Sequence, residues 1–379
     1  MDFTFSEEQN ELRRAARRFL EVQSSEERVR AAMETEQGYD SAVWQQLSEE
    51  LAWTALTIPE THGGLGMSYL DLHTLMEEMG RALLCAPFFS TVCLGANALL
   101  VAGSDPLKER YLPSIASGEL TATLAYEEKN RNRGADAVEA TFSRDGGDYV
   151  LRGNKQFVID GHSADLLIVA ARAEKSRGPE GVSLFALPAD AKGLHRTWTP
   201  TMDQTRRLAS LELDRVRLPS EALLGDEGGG WETCERTLDL ARIALSAEQV
   251  GGAEMCLDTA VEYAKVRKQF GRAIGSFQAI KHKCADMLTM IESARSAAFY
   301  ASALAAQDEP DLRDAASSAK AFCSETFFHC AAENIQIHGG IGFTWEHPAH
   351  LYFKRAKSSE LMFGDPTYHR EQLAQRIGI

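Results

Sequence analysis

Apolar residues recur along this chain with two different periods, and the changes of period divide it into three stretches. Up to about residue 115 the spacing is helical. Ser6-Glu7-Glu8-Gln9 reads as an N-cap leading into Leu12, Ala15, Ala16 and Phe19, which share one helix face. A second helix is predicted from about Ser41 to Leu51 and a third from Tyr69 to about Leu83. Between them Ile58-Pro59-Glu60-Thr61-His62-Gly63-Gly64-Leu65-Gly66 reads as a tight turn. Ala82 to Ser104 carries no charge over 23 residues, long enough to span a bilayer. Its Pro87, Ser90, Thr91, Gly95 and Asn97 argue against a spanning helix, and the segment reads as a loop and a buried helix.

The period changes near Ser117. From Leu120 to Leu224 short β-like runs recur at 121–126, 149–152, 156–159, 166–171, 182–187 and 209–213, bounded by Gly, Asp and Pro. That spacing predicts a small antiparallel sandwich or barrel. Gly225 to Gly230 reads as a flexible exit, and the helical period returns at Trp231. Long helices are predicted from there to the stretch before Gly271, from Phe277 to about Gln307, and from about Asp314 to Ile337. Cys284, Met287, Leu288 and Ile291 fall on one face, and Ala-rich stretches at 297–306 and 315–321 suit close helix packing. The expected fold is mainly α with a central β domain: helical over 1–116, β over 117–226, and a helical bundle over 227–379.

Composition narrows the function. Apolar residues at 44% and charged residues at 25% are ordinary for a globular protein, and 379 residues suggest two or three domains. A net charge of -15 argues against a general nucleic-acid binder, which needs clustered Lys and Arg. The N-terminus lacks a signal-peptide pattern. Seven cysteines without Cys-x-x-Cys spacing read as reduced, buried thiols of a cytoplasmic protein.

Chemistry concentrates between Tyr263 and Gln278. Lys265, Arg267 and Lys268 close one helix, and Gly271 and Gly275 break it, bringing an Arg, Gln269, Phe270 and backbone amides to one turn. Phosphates and an aromatic base would suit that turn; so would plain solvation of a cationic helix end. Arg267-Lys268-Gln269-Phe270-Gly271 followed by Phe277-Gln278 resembles the signature of acyl-CoA dehydrogenases. Pro59-Glu60-Thr61-His62-Gly63-Gly64-Leu65-Gly66 and Gln336-Ile337-His338-Gly339-Gly340-Ile341-Gly342-Phe343 are similar to family turns at the same places. The resemblance covers essentially the whole chain and implies the family's order of N-terminal helices, small β domain and C-terminal four-helix bundle.

The resemblance implies FAD as cofactor and an acyl-CoA as substrate. A base removes the α proton of the thioester, and the β hydrogen leaves as hydride. It also implies an electron-transferring flavoprotein as electron acceptor. Arg267 would meet the pyrophosphate, with Gln269, Phe270, Phe277, Gln278, Gln336, Gly339 and Gly340 close by, acting across a dimer interface. His338 also fits a satisfied histidine in a helix-end turn. Asp239 and Arg242 match positions that contact the CoA arm and support the catalytic loop; at i and i+3 they also fit a surface ion pair.

Elsewhere the chain departs from the family. Where the family has Thr-Glu-Pro and a Gly-Ser loop, this sequence reads Tyr126-Glu127-Glu128-Lys129-Asn130-Arg131-Asn132-Arg133. Arg131 and Arg133 are candidate substitutes for phosphate contacts. A later Trp-Ile-Thr/Ser-Asn becomes Phe157-Val158-Ile159-Asp160, which keeps an aromatic wall in Phe157. The family's catalytic Glu before the last helix is Phe363 here, and its other known place falls on Ala241. Asp365, within about 7 Å of Phe363 along an extended chain, is the candidate base, and also fits an N-cap of the last helix. Glu248 is the second candidate, about 10 Å along the helix from Ala241. The first expectation is an FAD-dependent acyl-CoA dehydrogenase, in a homo- or hetero-oligomer (dimer or tetramer). The second is a non-catalytic subunit completing the FAD site of a partner, as in the mixed oligomers of the steroid side-chain branch that this sequence resembles. The third is a flavin oxidase or monooxygenase.

Overall fold

Two serines start helices by the same device. Ser6 Oγ accepts from Gln9 N while Gln9 Oε1 accepts from Ser6 N, and Ser68 and Asp71 repeat the capping box. They open α1 (Glu7–Gln23) and, after α2 (Glu26–Glu34) and α3 (Ser41–Gln45), α4 (Tyr69–Arg81). A computed structural model describes residues 4–129 and 133–379. The apolar stretch after α4 becomes a loop, a π-helical turn over Phe89–Ala96, and α5 (Asn97–Ala102), all but its end buried. No helix among the described residues is long and apolar enough to cross a membrane. α6 (Asp105–Ala116) closes the N-terminal helices.

Eight strands follow: β1 (Ala122–Ala125), β2 (Thr141–Asp145), β3 (Asp148–Ile159), β4 (Leu166–Ala173), β5 (Val182–Pro188), β6 (Leu194–Thr199), β7 (Leu208–Leu218) and β8 (Leu223–Leu224). They pair in the path β6-β7-β3-β2-β4-β5-β8, with β1 also on β4. The β domain is mainly antiparallel, as expected, with a correction at β4. β1 and β2 lie one after the other along the same edge of β4, both parallel to it, and the path does not close into a barrel among the described residues. Parallel pairing requires a crossover, here the β2–β3 hairpin, and run spacing carries no sign of one. Phe142, Tyr149 and Phe185 meet edge-to-face at 4.9–5.6 Å in the β core. The glycine-rich exit is pinned: Gly228 N donates to Ser183 Oγ, and the Glu227 carboxylate accepts from Tyr149 Oη and Arg144.

The rest is α7 (Gly230–Val266), a hairpin of β9 (Lys268–Gln269) and β10 (Arg272–Ala273), α8 (Gln278–Gln307), α9 (Leu312–His338), α10 (Ala349–Leu361) and α11 (Pro366–Ile377). By packing the chain forms two compact units. One comprises Met1–Ala31, Ser68–Leu84 and Arg242–Ile379; the other comprises Ala32–Met67 and Cys85–Ala241.

In the helical unit, α4 and α7 cross at two glycines. A Cβ on Gly251 would sit 1.7 Å from Glu77 O, and one on Gly80 would sit 1.9 Å from Glu248 O. Glu77 and Glu78, both buried on α4, are matched by Arg13 (2.7 Å to Glu77), Arg17 (2.7 Å to Glu78) and Arg295 on α8. His73 lies under this network with Nδ1 2.9 Å from Ser302 Oγ. Leu288 differs in burial from the residues that share its face. It is 50% exposed while Met287 and Ile291 are buried, so the apolar stripe of α8 is wider than this chain alone covers.

Burial, with Arg13 and Arg295 nearby, lowers the His73 pKa from 6.5 to about 3, so the folded state holds it neutral. A depressed histidine gives stability that is complete above its unfolded value and lost as pH falls from about 6.5 toward about 3. The Tm of the wild type is therefore expected to fall relative to that of His73→Asn as pH is lowered from neutral. The loss is about 2 kcal/mol at about pH 5, readable by thermal unfolding of both proteins across that range.

Candidate functional site

Three helix ends meet at one end of the helical unit. Thr259 on α7 donates to Asn334 Oδ1 on α9 at 3.3 Å, and one turn further the Tyr263 ring stacks on His338 at 4.3 Å. Lys283 near the start of α8 pairs with Glu333. These contacts hold the β9–β10 hairpin and the first turn of α8 beside the last turn of α9. Phe270 and Gly271 form the hairpin's two-residue turn with φ of +52° and +79°, the type I′ geometry that matches strand twist. That turn projects the Phe270 ring outward, 93% exposed.

Around it the expected cofactor residues stand open. Arg267, Gln269, Gln278, Gln336, Gly339 and Gly340 are exposed, and Arg267 has no acidic partner among the described residues. Arg272 lies over the Phe277 ring at 4.1 Å from its centroid. A Cβ built on Gly339 or Gly340 would meet nothing within 4 Å. An unengaged guanidinium, two aromatic rings and bare backbone fit the adenosine and pyrophosphate of FAD, since Arg matches phosphate oxygens in pairs and rings stack on the base. His338 is a satisfied histidine: its Nδ1 lies 2.8 Å from Asn334 O, and burial lowers its pKa.

In the β unit, Phe157 stands at a bulge. Lys155 pairs with Leu211 and Val158 with Ala209, so β3 carries one extra residue there. Phe157 takes φ of +56°, and its ring is 48% exposed. Beside it, burial raises the pKa of Glu127 while Arg133 pulls it back. Arg131 lies outside the described residues.

A third cluster surrounds the loop between α10 and α11. Phe363 has φ of +57° and is buried, with 4% exposure. Its carbonyl accepts from Arg242 Nε (3.2 Å) and lies 3.1 Å from His369 Nε2. Lys320, fully buried on α9, donates to Ser324 Oγ (2.8 Å) and to the carbonyls of Glu360 and Gly364 (3.1 Å each). Asp239 and Arg242 are both buried, which overturns the surface-pair alternative. Asp365 Oδ1 accepts from Tyr368 N at 2.8 Å and caps α11. Glu248 is held in a buried ion pair with Arg355 at 2.9 Å, and Ala241 is fully buried.

Sequence reasoning missed Lys320 and His369. The one available signal was a lone cation in the Ala/Ser stretch 315–321, at a position where a helix packed by small residues has no water to offer.

Comparison with known proteins adds to this geometry. The chain matches three family models, described as acyl-CoA dehydrogenase N-terminal domain (residues 6–119), middle domain (124–216) and C-terminal domain (228–378). It is 36% identical to acyl-CoA dehydrogenase IpdE2 of Mycolicibacterium smegmatis, over 97% of each chain. The structure of butyryl-CoA dehydrogenase from Megasphaera elsdenii superposes with a TM-score of 0.93 at 28% identity, covering all of both chains. A variant of the Tcur3481-Tcur3483 steroid ACAD superposes with a TM-score of 0.87 at 31% identity over 98% of each chain.

The loop geometry gives a direct test. Gly364 has φ of +113°, and a Cβ there would sit 2.5 Å from the Tyr368 ring and 2.6 Å from His369 Nε2. Gly364→Ala is expected to destabilise the protein by about 2 kcal/mol, through backbone strain and displacement of His369, measured by denaturant unfolding.

Proposed function

The chain belongs to the acyl-CoA dehydrogenase family of FAD-dependent oxidoreductases, and on that premise we propose how its own residues serve α,β-dehydrogenation of an acyl-CoA thioester. The observation that carries the proposal is the open hairpin cluster, an exposed ring and unengaged guanidinium beside the bare backbone of Gly339 and Gly340. Arg267 would hold the pyrophosphate, with Gln269, Phe270, Phe277, Gln278 and Gln336 around the adenosine. Phe157 would form an aromatic wall for the ring system. Bound flavin supplies the electron sink for the β hydrogen, which no side chain can offer.

Asp239 and Arg242 would serve the CoA arm, and Arg242 also holds the carbonyl of Phe363. For the α proton, the carboxylate nearest the loop is Asp365, whose Oδ2 would take it while Oδ1 keeps the helix cap. The wide apolar stripe of α8 and the solvent-facing Phe270 support an oligomer in which these residues meet a neighbouring chain. The relatives support a lipid or steroid acyl group, and family membership supports an electron-transferring flavoprotein as acceptor. Seven free thiols, six of them buried, suit the reducing cytoplasm.

A second reading is favoured by one observation: a buried phenyl ring stands at the family's base position, on a loop whose carbonyls are tied by Arg242 and Lys320. In that reading the chain completes the flavin site of a partner that brings its own carboxylate.

Asp365→Asn separates the two, because Asn caps a helix as well as Asp does and the fold is left alone. If Asp365 is the base, kcat is expected to fall by about 10² or more in acyl-CoA turnover assays with Tm unchanged. Unchanged turnover in a mixed oligomer assigns the proton to the partner. Gly340→Val tests the adenine side. Its side chain enters open space, so Tm is expected to hold while FAD affinity falls about tenfold or more by equilibrium titration.

A further inference from the structure

The β unit holds a complete ion pair that the reading above does not use. Lys155 is fully buried on β3, and Glu128 is buried at the end of the segment that follows β1. Lys155 Nζ lies 2.5 Å from Glu128 Oε1 and also reaches Tyr126 O at 3.3 Å. The same carboxylate accepts from Glu139 N (3.0 Å to Oε1) and Ala140 N (3.0 Å). One step along β3, Gln156 N donates to Glu127 O at 2.9 Å. The strap Tyr126-Glu127-Glu128 is thus fastened to Lys155 and Gln156, the two residues immediately before the bulge that turns Phe157 outward.

Such a pair is a poor way to gain stability. Desolvation of two charges offsets most of their attraction, and well-packed apolar residues of similar size commonly do as well. Burial lowers the Lys155 pKa against the pull of Glu128, which shows the same opposition. What the pair supplies is geometry. A carboxylate that accepts two backbone N–H groups and one ammonium fixes the strap, residues 139–140 and β3 at one point.

We propose that Glu128 and Lys155 are a positioning pair for the flavin ring, locking the strap and the Phe157 bulge in one register so that the ring meets a preformed wall. The inference rests on the FAD-binding reading above. It concerns positioning only: neither side chain needs to touch the cofactor.

The test uses the full-length protein, in its native oligomer, and the double substitution Glu128→Leu with Lys155→Met. Amide hydrogen exchange is measured first, without added flavin. Glu139, Ala140 and Gln156 are expected to lose protection while the β4–β5 ladder keeps it. Reconstituted with FAD, the variant is expected to retain flavin stoichiometry, with a shifted visible absorption band and a changed flavin reduction potential. Its kcat is expected to fall on the order of tenfold to a hundredfold with little change in KM, the scale of a misplacement of about 1 Å. Glu128→Gln, which keeps an acceptor and the side-chain shape, gives the same readouts should the double variant fail to fold. Wild-type absorption, potential and kcat at equal flavin content would overturn the proposal. A wild-type protein that takes up no flavin overturns the cofactor reading itself, and that failure is seen before any substitution is made.

Discussion

A buried ammonium must be surrounded by oxygens, and this protein has two such sites where its loops would otherwise be free to wander. Lys320 gathers Ser324, Glu360 and Gly364 about its three protons in the helical unit. Lys155 gathers Glu128 and Tyr126 in the β unit. An unpaired charge at either place would cost several kcal/mol, so the backbone that supplies the oxygens has little choice of position. Both loops enter the proposed chemistry: one carries Phe363, where the resemblance puts the family's base, and the other leads to the aromatic bulge at Phe157. The remaining supports are arranged around these two fixed points. Arg242 and His369 both meet the carbonyl of Phe363, and the Glu128 carboxylate takes the amides of Glu139 and Ala140.

Much of the fold was legible in the sequence because its signals are local. Ser6 and Ser68 announce helix starts through partners three residues away, and the long helices repeat their apolar period many times over. The β unit was legible only as a set of runs. The two runs at 149–152 and 156–159 are a single strand, β3, and β2 and β6 are too polar for a run to reveal. Parallel pairing of β1 and β2 on β4 depends on contacts between residues far apart in sequence, which periodicity does not encode. Leu288 stands exposed on the apolar face it was assigned to, because a period identifies a face without saying what covers it.

The candidate site divides in the same way. The proposed adenine-side residues lie in short contiguous motifs, and all but the half-buried Phe277 stand exposed at one end of the helical unit. The loop before α11 stood out by what it lacks, a carboxylate at Phe363, and Asp365 was nominated by proximity along the chain. Of that loop's supports only Arg242 was expected, and it holds the Phe363 carbonyl; the others were not foreseen. Lys320 and His369 approach it from different helices, and nothing in either residue's local sequence points to the other. Glu128 was seen as a replacement for a proline, whereas its partner twenty-seven residues on gives that replacement its meaning.

The type I′ hairpin carries a consequence for anyone who would engineer this protein. A left-handed Phe costs about 1–3 kcal/mol where Asn or Gly would sit at ease, and its ring is 93% exposed besides. Directed evolution scored on the melting point of the lone chain would replace Phe270 early and record a gain in solubility. On the proposed function, the optimised variant would have lost its contact with the cofactor or a neighbouring chain. Screens for sturdier versions of this chain should be run on the assembled, cofactor-loaded protein.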